Sequence, residues 1–574
     1  MPRSNDEVER ALLEFADLLA IVGNDPYKPR AYEKAARAVG GYPDDLRTID
    51  DRGVMSIPGV GKSIAGKVSE FLRTGTFEEL ESLRDQVPAG VREMTAIPGF
   101  GPKKALTVHE ELGIGSVDEL VAAAERGELA ALKGFSRTTE RNVLAGAQRL
   151  RASGGRVLVS EALEVAEDLL GRLLDVPGVR RAAYAGSLRR MAETIGDVDL
   201  LVAADRPQAV MEAFAADVVA DRVLASGDTK SSIVTHRGLQ IDLRVIPLEA
   251  WGAAMIYFTG SKAHNIRIRE MAVRAGLKLN EYGLFRAKSG RLLAAETEEE
   301  VYARLGLPFI EPTLREDRGE IEAALAGELP ELITLRQIKG DLHTHTDLTD
   351  GLAPLERMVE AASEHRYAYY AITDHAPNLF MQRMTDEKML EQRDRLREIA
   401  SRYPTMRLLH GTELNIGPDG DVDWDEGFLD GFDLTVASVH SHFAMPRDEM
   451  TRRVIRAIEH PSVNIIGHLT TRKIGRRDPI DLDLEAVFEA AGRTGTALEI
   501  NAFPDRLDLR DEHALWARRH GVRFSIDTDS HAVGHLDVMR FGVATAQRGW
   551  LSKADVINAW PMTRLERFLR KGRR

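Results

Sequence analysis

Three aspartates in the middle of the chain are spaced so that they could hold divalent cations together. Asp197 and Asp199 are two residues apart in an apolar run, so in a β-strand their side chains would share one face while Val198 points into the core. Asp242 lies in a second such run and would stand on a neighbouring strand. Three carboxylates on one face repel each other unless cations lie between them, and such a site typically clamps two Mg²⁺ ions on an in-line phosphoryl transfer. A lone Asp-x-Asp pair is also common at ordinary strand ends.

A Gly-Ser turn supports the phosphoryl-transfer interpretation. Gly186 begins this turn eleven residues before Asp197, and Ser187 follows it into a predicted helix. The backbone N–H groups and the positive end of such a helix can bind a phosphate, and Arg190 can add a charged fork. The chain therefore pairs a candidate metal site with a candidate triphosphate site.

These features in this order resemble the nucleotidyltransferase superfamily and, within it, family X DNA polymerases, the group that includes DNA polymerase beta. The run Tyr257 to Ser261 with the following Asn265 and Arg269 is similar to the thumb motif of that family, and so is Asn280-Glu281-Tyr282. The resemblance implies that Asp197, Asp199 and Asp242 are the catalytic, Mg²⁺-binding triad, with Asp242 as the base toward the primer 3′-OH.

The same resemblance implies which residues bind the substrates, namely dNTPs and gapped or primer-template DNA. The dNTP-binding residues would be Gly186, Ser187, Arg190, Gly196, Tyr257, Phe258, Gly260, Asn265 and Arg269, and Lys230 would bind DNA.

Two short glycine repeats near the N-terminus predict further contacts to DNA. The runs Ile57 to Lys62 and Ile97 to Lys103 each precede a helix with apolar periodicity. Gly-x-Gly between two helices lets backbone amides reach a DNA phosphate without reading the sequence. One such turn could be a plain helix cap, but two close copies favour helix-hairpin-helix contacts. The residues that would make them are Gly59, Gly61, Gly99, Gly101 and Lys103.

The helix after the first repeat carries Lys67. This segment resembles the small N-terminal domain of DNA polymerase beta-like enzymes, in which a lysine at this position forms a Schiff base and removes 5′-deoxyribose phosphate. The neighbouring lysine of the family pattern is Ser63 here. Two roles for Lys67 stay open, catalytic nucleophile and phosphate ligand.

Histidines and carboxylates that could ligate metals are concentrated in the C-terminal part of the chain. Thirteen of the 16 histidines follow position 340, and His343-x-His345 would place two imidazoles on one strand face. The chain has no cysteine, so the ligands must be His, Asp and Glu, a set that suits Zn, Mn or Mg. The candidate ligands are His343, His345, Asp350, His375, Glu413, His440, His468, Asp529 and His531. Six further histidines are interpreted as ordinary core or surface residues, namely His365, His410, His460, His513, His520 and His535.

The joint order of the nine candidates resembles the PHP phosphoesterase domain. By that resemblance His343, His345, Glu413 and Asp529 hold one ion, Glu413, His440 and His468 a second, and Asp350, His375 and His531 a third. The implied cofactors are up to three Mn²⁺ or Zn²⁺ ions, with Arg472 or Lys473 as a candidate phosphate ligand. His442 is a further residue near this site without an assigned role.

The elements that must position these residues indicate a multidomain chain. An all-α region runs to about Arg151, mixed α/β patterns follow, and short apolar strands alternating with helices beyond 338 predict a (β/α) barrel with its site at the C-terminal strand ends. The expected divisions are a lyase-like helical domain with the first helix-hairpin-helix (1–85), helical fingers with the second (86–152), a nucleotidyltransferase palm (153–255), a thumb (256–315), a linker (316–337) and a PHP phosphoesterase barrel (338–574).

Length and composition agree with this division. At 574 residues and 43% hydrophobic content the chain can bury several cores. No signal-like N-terminus and no run long enough to span a membrane are present, so we expect a cytoplasmic protein. We also expect a monomer. The net charge of -13 is unusual for a DNA-binding protein, but glycine-repeat contacts use backbone amides and do not require a basic surface.

The sequence therefore predicts a family X DNA polymerase that fills short gaps in repair, joined to a PHP 3′-5′ exonuclease or 3′-end phosphoesterase. Two alternatives are a small-molecule phosphatase with an inactive polymerase half and a non-catalytic scaffold that binds DNA ends. The complete triad and the nine ligands argue against the scaffold, because a scaffold needs neither.

Overall fold

The computed structural model describes residues 4–22, 27–40, 42, 45–57, 59–87, 89–95, 97, 100–132, 134–137, 139–141, 143–144, 155–235, 238–379 and 384–570. Gly99, one of the predicted DNA-binding glycines, lies outside these residues. Among the helices of the described part, none combines the length and apolar character that crossing a bilayer requires.

The N-terminal region is all-helical, as the sequence predicts. Its helices are Ser4–Val22, Tyr27–Gly40, Asp51–Met55, Lys62–Thr74, Glu78–Gln86, Ala89–Met94, Pro102–Leu112 and Val117–Glu125. Phe15 lies at the centre, with its ring edge-on to Tyr32 at 4.8 Å and to Phe77 at 5.1 Å between centroids. One hydrophobic cluster extends from Val8 to Val143, so both glycine repeats share a core.

The palm is a five-stranded sheet with the strand order β2-β4-β7-β6-β5. Its strands are β2 (Val179–Tyr184), β4 (Asp197–Ala204), β5 (Ala220–Ser226), β6 (Lys230–Thr235) and β7 (Gln240–Val245), and a separate pair is formed by β1 (Val157–Leu158) and β3 (Thr194–Ile195). β4 and β7 are parallel, and the other neighbours are antiparallel. The helices of this domain are Val159–Leu174, Gly186–Arg189 and Pro207–Ala215.

The thumb packs helices against a three-stranded sheet of order β10-β9-β8. Its strands are β8 (Leu277–Asn280), β9 (Gly283–Arg286) and β10 (Leu292–Ala294), and its helices are Trp251–Thr259, Lys262–Arg274 and Glu298–Arg304.

The segment 316–337 differs from the expected linker, because it is packed on both of its neighbours. It contains the helix Glu320–Ala326, whose Ile321 and Ala324 join the thumb core. The Glu320 carboxylate lies 2.7 Å from Nδ1 of the buried His264, and Ile333 belongs to the core of the C-terminal domain. Apolar residues within the charged sequence give this segment a buried face, and it connects the two domains as folded structure.

The C-terminal domain confirms the predicted (β/α) barrel. Seven parallel strands follow each other in sequence order, namely β11 (Gly340–Asp341), β12 (Tyr369–Ile372), β13 (Arg407–Asn415), β14 (Leu434–Ser438), β15 (Ile465–Ile466), β16 (Ala497–Asn501) and β17 (Phe524–Asp527). A parallel bridge between Thr344 and Ser530 joins the ends of the first and last strands. The helices are Leu355–Glu364, Asp386–Ala400, Glu426–Leu429, Arg447–Glu459, Leu484–Thr494, Asp511–Arg519, Met539–Arg548 and Met562–Leu569.

The barrel is docked onto the palm by apolar and ionic contacts. Leu507 and Phe541 of the barrel are buried in the hydrophobic cluster of the palm. Arg472 of the barrel lies 2.8 Å from the Glu193 carboxylate of the palm, and Arg548 lies 2.8 Å from the Glu316 carboxylate that follows the thumb. These contacts fix the two candidate sites in one framework.

Candidate active sites

The palm sheet brings the three predicted aspartates together on one face. Asp197 and Asp199 alternate along β4 with Val198 and Leu200, which are fully buried on the opposite face. Because β4 and β7 are parallel and in register, Asp199 stands directly beside Asp242. Lys230 on β6 places its amine 3.5 Å from the Asp242 carboxylate, and Gln240 donates to the same carboxylate at 2.9 Å.

The electrostatics of this face fit a divalent-cation site. Burial, together with the charges of Asp197 and Asp242, raises the pKa of Asp199 to about 6. The nearby charges of Arg244 and Lys230 lower this pKa but do not offset burial and the two neighbouring carboxylates. Three oxygen-donor side chains with excess negative charge are the donor set that Mg²⁺ prefers.

Glycine is required where the Gly-Ser turn meets the triad. Gly186 has a φ of 61°, and a Cβ added there would lie 2.5 Å from the Asp199 carboxylate oxygen. The backbone of the turn therefore lies against the Asp199 carboxylate and leaves no room for a side chain at Gly186. Ser187 follows in the helix Gly186–Arg189, and Gly196 immediately precedes β4.

The predicted dNTP-binding residues of the palm and thumb meet at one junction. The Arg190 guanidinium donates to the backbone oxygen of Thr259 at 2.5 Å and to the Glu316 carboxylate at 3.0 Å. A Cβ on Gly260 would lie 3.2 Å from the same guanidinium. Arg190 therefore has protein partners that an incoming phosphate would have to replace or share.

The aromatic and polar residues of the thumb motif lie on consecutive helices. The Tyr257 and Phe258 rings are edge-on at 5.0 Å, and Tyr257 is partly exposed. The Asn265 amide donates to the backbone oxygen of Tyr257 at 2.7 Å, and Arg269 donates to the backbone oxygen of Asn265 at 3.2 Å. This chain of contacts aligns the four side chains that the sequence assigns to the sugar and the nascent base pair.

Both glycine repeats end in helix N-termini that are open to solvent. Gly61 and Gly101 are exposed N-cap residues of the helices Lys62–Thr74 and Pro102–Leu112, and among the described residues no side chain caps either helix. Ideal Cβ atoms at these two positions would meet nothing within 4 Å. Gly59 has a φ of 83°, and Lys103 is exposed in the first turn of its helix. The free N–H groups are therefore accessible to a phosphate backbone.

Lys67 is held in a polar contact inside the first helical domain. Its amine lies 2.7 Å from the Glu79 carboxylate and within 6 Å of the Phe15 and Tyr32 ring centroids. Burial opposes the charged form, but the contacts of the amine with Glu79 and Tyr32 together outweigh it, and the pKa of Lys67 is raised. The lysine is therefore an ammonium at neutral pH.

The barrel assembles the nine predicted ligands at the C-terminal ends of its strands. Glu413 is central, because its carboxylate lies 2.9 Å from His375, 3.1 Å from His440, 3.1 Å from His468 and 3.4 Å from His343. Asp529 lies 3.2 Å from His345. Asp350 lies 3.4 Å from His375 and 3.3 Å from His531. Glu413 therefore lies among candidate ligands of all three sets that the resemblance implies. The donor atoms also group His345 with Asp350, His375 and His531, and His375 with Glu413 and His440, so the clusters overlap and differ in part from those sets.

The donors fit a multi-metal centre. The Nε2 atoms of His343 and His345 lie 3.2 Å apart, a distance that suits two lone pairs directed at a shared cation. Nδ1 of His345 and Nδ1 of His468 are buried without hydrogen-bond partners among the described residues. Burial disfavours the charged form of Glu413, but His440, His343 and His375 keep its pKa well below the usual range. Imidazole and carboxylate donors without cysteine suit Zn²⁺ or Mn²⁺.

Several residues that the sequence analysis did not identify orient these ligands. The Glu499 carboxylate lies 2.7 Å from Nδ1 of His343, and the Asn415 amide oxygen lies 2.8 Å from Nδ1 of His440. Arg506 places its Nε atom 3.7 Å from the Asp529 carboxylate. The available signal was a glutamate inside the otherwise apolar strand β16, since a charged residue in a barrel strand needs a partner.

Two residues offered as near-site candidates lie elsewhere. Arg472 is directed at the palm, where its Nη2 atom binds Glu193 and the backbone oxygen of Leu507. His442 is exposed, with a φ of 57°, and its ring contacts the neighbouring Ser441 hydroxyl. Arg472 is therefore an interface residue, which corrects its assignment as a phosphate ligand.

Comparisons with known proteins agree with this architecture. Family models match for a helix-hairpin-helix domain at residues 3–77, a SAM-like helix-hairpin-helix tandem at 91–149, the DNA polymerase beta thumb at 254–316 and the PHP domain at 341–503. Asp529 and His531 lie beyond the matched part of the PHP model, yet the fold brings both into the cluster of nine candidate ligands at the barrel mouth, here called the PHP cage.

The relatives described here match either nearly the whole chain or one part of it. The chain is 35% identical, over 98% of its length and 99% of the relative, to the DNA polymerase/3′-5′ exonuclease PolX of Bacillus subtilis (strain 168). It is 26% identical to DNA polymerase lambda of Rattus norvegicus over 51% of this chain and 53% of that protein. It is 30% identical to a probable phosphatase of Thermoanaerobacter sp. (strain X514) over 35% of this chain and 81% of that protein.

The fold and both sites define a class, a DNA polymerase beta-like chain joined to a PHP domain. Within that class the chain belongs to the PolX family.

Proposed function

We propose that this chain is a DNA-directed DNA polymerase of family X that fills short gaps during DNA repair, and that its PHP domain is a metal-dependent 3′-5′ exonuclease or 3′-end phosphoesterase. The observation that carries the proposal is that one chain presents two candidate donor sets, three carboxylates on the palm sheet and nine candidate ligands at the barrel mouth. Exposed helix N-termini at both glycine repeats supply a sequence-independent way to hold the DNA.

In the polymerase site each residue has a distinct task. Divalent cations, for which we propose Mg²⁺, would neutralise charge on the transferred phosphoryl group. Asp197 and Asp199 would hold these cations, and Asp242 would accept the proton of the primer 3′-OH. Gly186, Ser187, Gly196 and Arg190 would bind the triphosphate of the dNTP. Tyr257, Phe258, Gly260, Asn265 and Arg269 would line the pocket for the sugar and base.

In the PHP site the ligands would divide among three ions, for which we propose Mn²⁺ or Zn²⁺. The three sets are His343, His345, Glu413 and Asp529, then Glu413, His440 and His468, then Asp350, His375 and His531. Bound ions would supply Lewis acidity for attack of water on a phosphoester. Glu499 and Asn415 would keep His343 and His440 in their ligating orientation.

The remaining roles concern DNA contacts and assembly. Gly59, Gly61, Gly99, Gly101, Lys103 and Lys230 would bind gapped or primer-template DNA, and the protein would act as a monomer. We assign Lys67 to phosphate binding rather than to nucleophilic catalysis, because its ion pair with Glu79 favours the ammonium form.

The test is a gapped duplex assayed for extension and for 3′ degradation with wild type, Asp197→Ala and His343→Ala. Asp197→Ala should lose at least 100-fold in extension and keep 3′ degradation, because the sites use separate ligands. His343→Ala should show the reverse pattern. Continued extension by Asp197→Ala would refute the polymerase assignment, and faster phosphate release from small metabolites than from DNA ends would favour the phosphatase alternative.

A further inference from the structure

Three cationic side chains lie side by side at one edge of the PHP cage. They come from two loops that follow neighbouring barrel strands, Lys473 and Arg477 after β15 and Arg506 after β16. Arg506 is the member that contacts the cage, with its Nε atom 3.7 Å from the carboxylate of the ligand Asp529. Because the carboxyl ends of neighbouring barrel strands meet at one rim, both loops face the same entrance.

One guanidinium nitrogen of this cluster lacks a partner. Nη1 of Arg506 is buried without a hydrogen-bond partner among the described residues. Asp505 is paired with Lys473 at 2.9 Å, and Asp508 is bonded to Thr470 at 2.9 Å through both its oxygens. Burial and the charge of Arg506 together lower the pKa of Lys473 despite the Asp505 pair. A buried guanidinium nitrogen without a partner is costly unless a ligand completes it.

The guanidinium of Arg477 is held over an aromatic ring. Its guanidinium lies 4.5 Å over the Phe443 ring, and its Nε atom donates to the backbone oxygen of Thr471 at 2.7 Å. An arginine held on an aromatic face presents its remaining N–H groups in one plane, which suits a phosphate. Arg476, the preceding residue in the chain, is exposed and has neither contact, so it offers a natural comparison.

The loop that carries Arg506 is anchored by the palm. The next residue, Leu507, is 2% exposed within the palm core, and its backbone oxygen accepts a hydrogen bond from Arg472 at 2.6 Å. On the other side, the backbone of Asn501 donates to Asp508. Arg506 is thereby held in place beside the cage before any substrate binds, which lowers the entropy cost of binding.

We propose that Arg506, Lys473 and Arg477 form a binding site for two successive phosphates of a DNA 3′ end, beside the PHP metals. Arg506 binds the phosphate that is cleaved, and Arg477 with Lys473 binds the next phosphate toward the 5′ side. This inference rests on the proposed exonuclease function. It also gives that function a physical basis for selecting polynucleotides, because a small phosphomonoester has no second phosphate for Arg477.

The experiment removes two charges, first separately and then together. One is on the phosphate next to the scissile linkage, and the other is on Arg477, its predicted partner. Single-stranded oligonucleotides with a 3′-OH are made with either a natural phosphodiester or a neutral methylphosphonate at the linkage next to the scissile one. Release of the 3′ nucleotide with Mn²⁺ is measured for wild type, Arg477→Gln, Arg477→Lys, Arg506→Gln and the control Arg476→Gln. Circular dichroism and thermal unfolding establish that each variant is folded.

In wild type the methylphosphonate should lower kcat/KM at least tenfold, mainly through KM. Arg477→Gln should lower kcat/KM on the natural substrate by a similar factor and respond to the methylphosphonate less than twofold, because the two changes remove the same contact. Arg477→Lys should retain part of the wild-type sensitivity, and Arg476→Gln should retain all of it. Arg506→Gln should lose activity on both substrates.

Two results would overturn the proposal. A methylphosphonate penalty in Arg477→Gln equal to that of wild type would mean that Arg477 does not meet this phosphate. An equal loss in Arg476→Gln would mean that the effect is only general surface charge. Either result leaves the exonuclease assignment intact, whereas a wild type that releases no nucleotide from any oligonucleotide would remove both.

Discussion

At the scale of single residues, His410 shows how a buried side chain can limit the stability of the barrel in acid. The sequence analysis interpreted it as an ordinary core residue, and it lies 5% exposed on β13 with its ring stacked on Phe432 at 5.1 Å. Neither ring nitrogen has a hydrogen-bond partner within the described residues. Burial, with a smaller effect of Arg393 and Arg397, lowers its pKa to about 3.

This depressed pKa predicts a specific loss of stability as the pH falls. Above about pH 6.5 the histidine is neutral in both states, and below it the unfolded chain binds a proton that the folded chain does not. The free energy of unfolding should therefore fall by about 1.4 kcal/mol per pH unit from this residue alone, down to pH 3. His410→Phe removes the titrating group. As the pH falls from 7 to 4, its free energy of unfolding should therefore rise by about 3 kcal/mol relative to that of wild type.

The measurement is urea unfolding of both proteins at several pH values. Phe432→Leu is the matched control, because it loosens the same stack but keeps the imidazole, and it should keep the wild-type dependence on pH. If the free energy of unfolding depends on pH in the same way for wild type and His410→Phe, the ring is already protonated, or solvated, in the folded state.

At the scale of elements, the first helix-hairpin-helix shows how one contact can decide between two functions of a helix. Lys67 on the helix Lys62–Thr74 binds Glu79 on the next helix, and this pair raises the lysine pKa. A Schiff base forms only from a neutral amine, so the pairing opposes lyase chemistry and favours phosphate binding.

Replacing Glu79 should therefore shift the balance toward amine chemistry. Glu79→Gln removes the hydrogen-bonded charge, so borohydride trapping of DNA with a 5′-deoxyribose phosphate should increase severalfold at pH 7.5, with Lys67→Ala as the zero reference. Glu78→Gln changes the neighbouring exposed carboxylate and should leave trapping unchanged. Strong trapping by wild type that Glu79→Gln does not increase would mean that Lys67 is already a competent nucleophile.

At the scale of the whole molecule, one arginine of the barrel links it to both polymerase subdomains. Arg548 lies 9% exposed, 2.8 Å from the Glu316 carboxylate and 2.9 Å from Asp511, and it donates to the backbone oxygen of Arg190 at 2.7 Å. Glu316 in turn binds the guanidinium of Arg190, the predicted triphosphate ligand. The PHP domain thus contributes directly to the surroundings of the predicted dNTP site.

Arg548→Met should cost roughly 3 kcal/mol in the free energy of unfolding, because it leaves buried carboxylates with less compensation. It should also raise KM for the dNTP. Without Arg548, Glu316 pairs only with Arg190 and competes more strongly with the triphosphate for its guanidinium. Arg540→Met is the matched control on the same helix, because Arg540 is 42% exposed and pairs with Glu167 at 3.4 Å, so it should cost less than 1 kcal/mol. Urea unfolding and primer-extension kinetics provide the two measurements, and equal losses in both variants would contradict this role of Arg548.

Much of both sites could be predicted because their spacing is local. Alternation along β4 decides that Asp197 and Asp199 share a face, and the parallel strand order decides that ligands at successive strand ends meet at one rim. The nine candidate ligands were selected because their joint order resembles that of the PHP domain, and most lie at or just after the ends of apolar strands.

The sequence by itself determined which strands carry candidate donors and where the glycine turns lie, since these follow from periods of two and 3.6 residues and from short motifs. The grouping of the donors and the order of the domains were implied by the resemblance to known families. Only the tertiary structure decided that segment 316–337 is packed, that Arg472 faces the palm and that Glu499 and Arg506 serve the cage. Such pairings join residues that are distant in the chain, and they depend on how whole domains pack, which no local pattern of residues specifies.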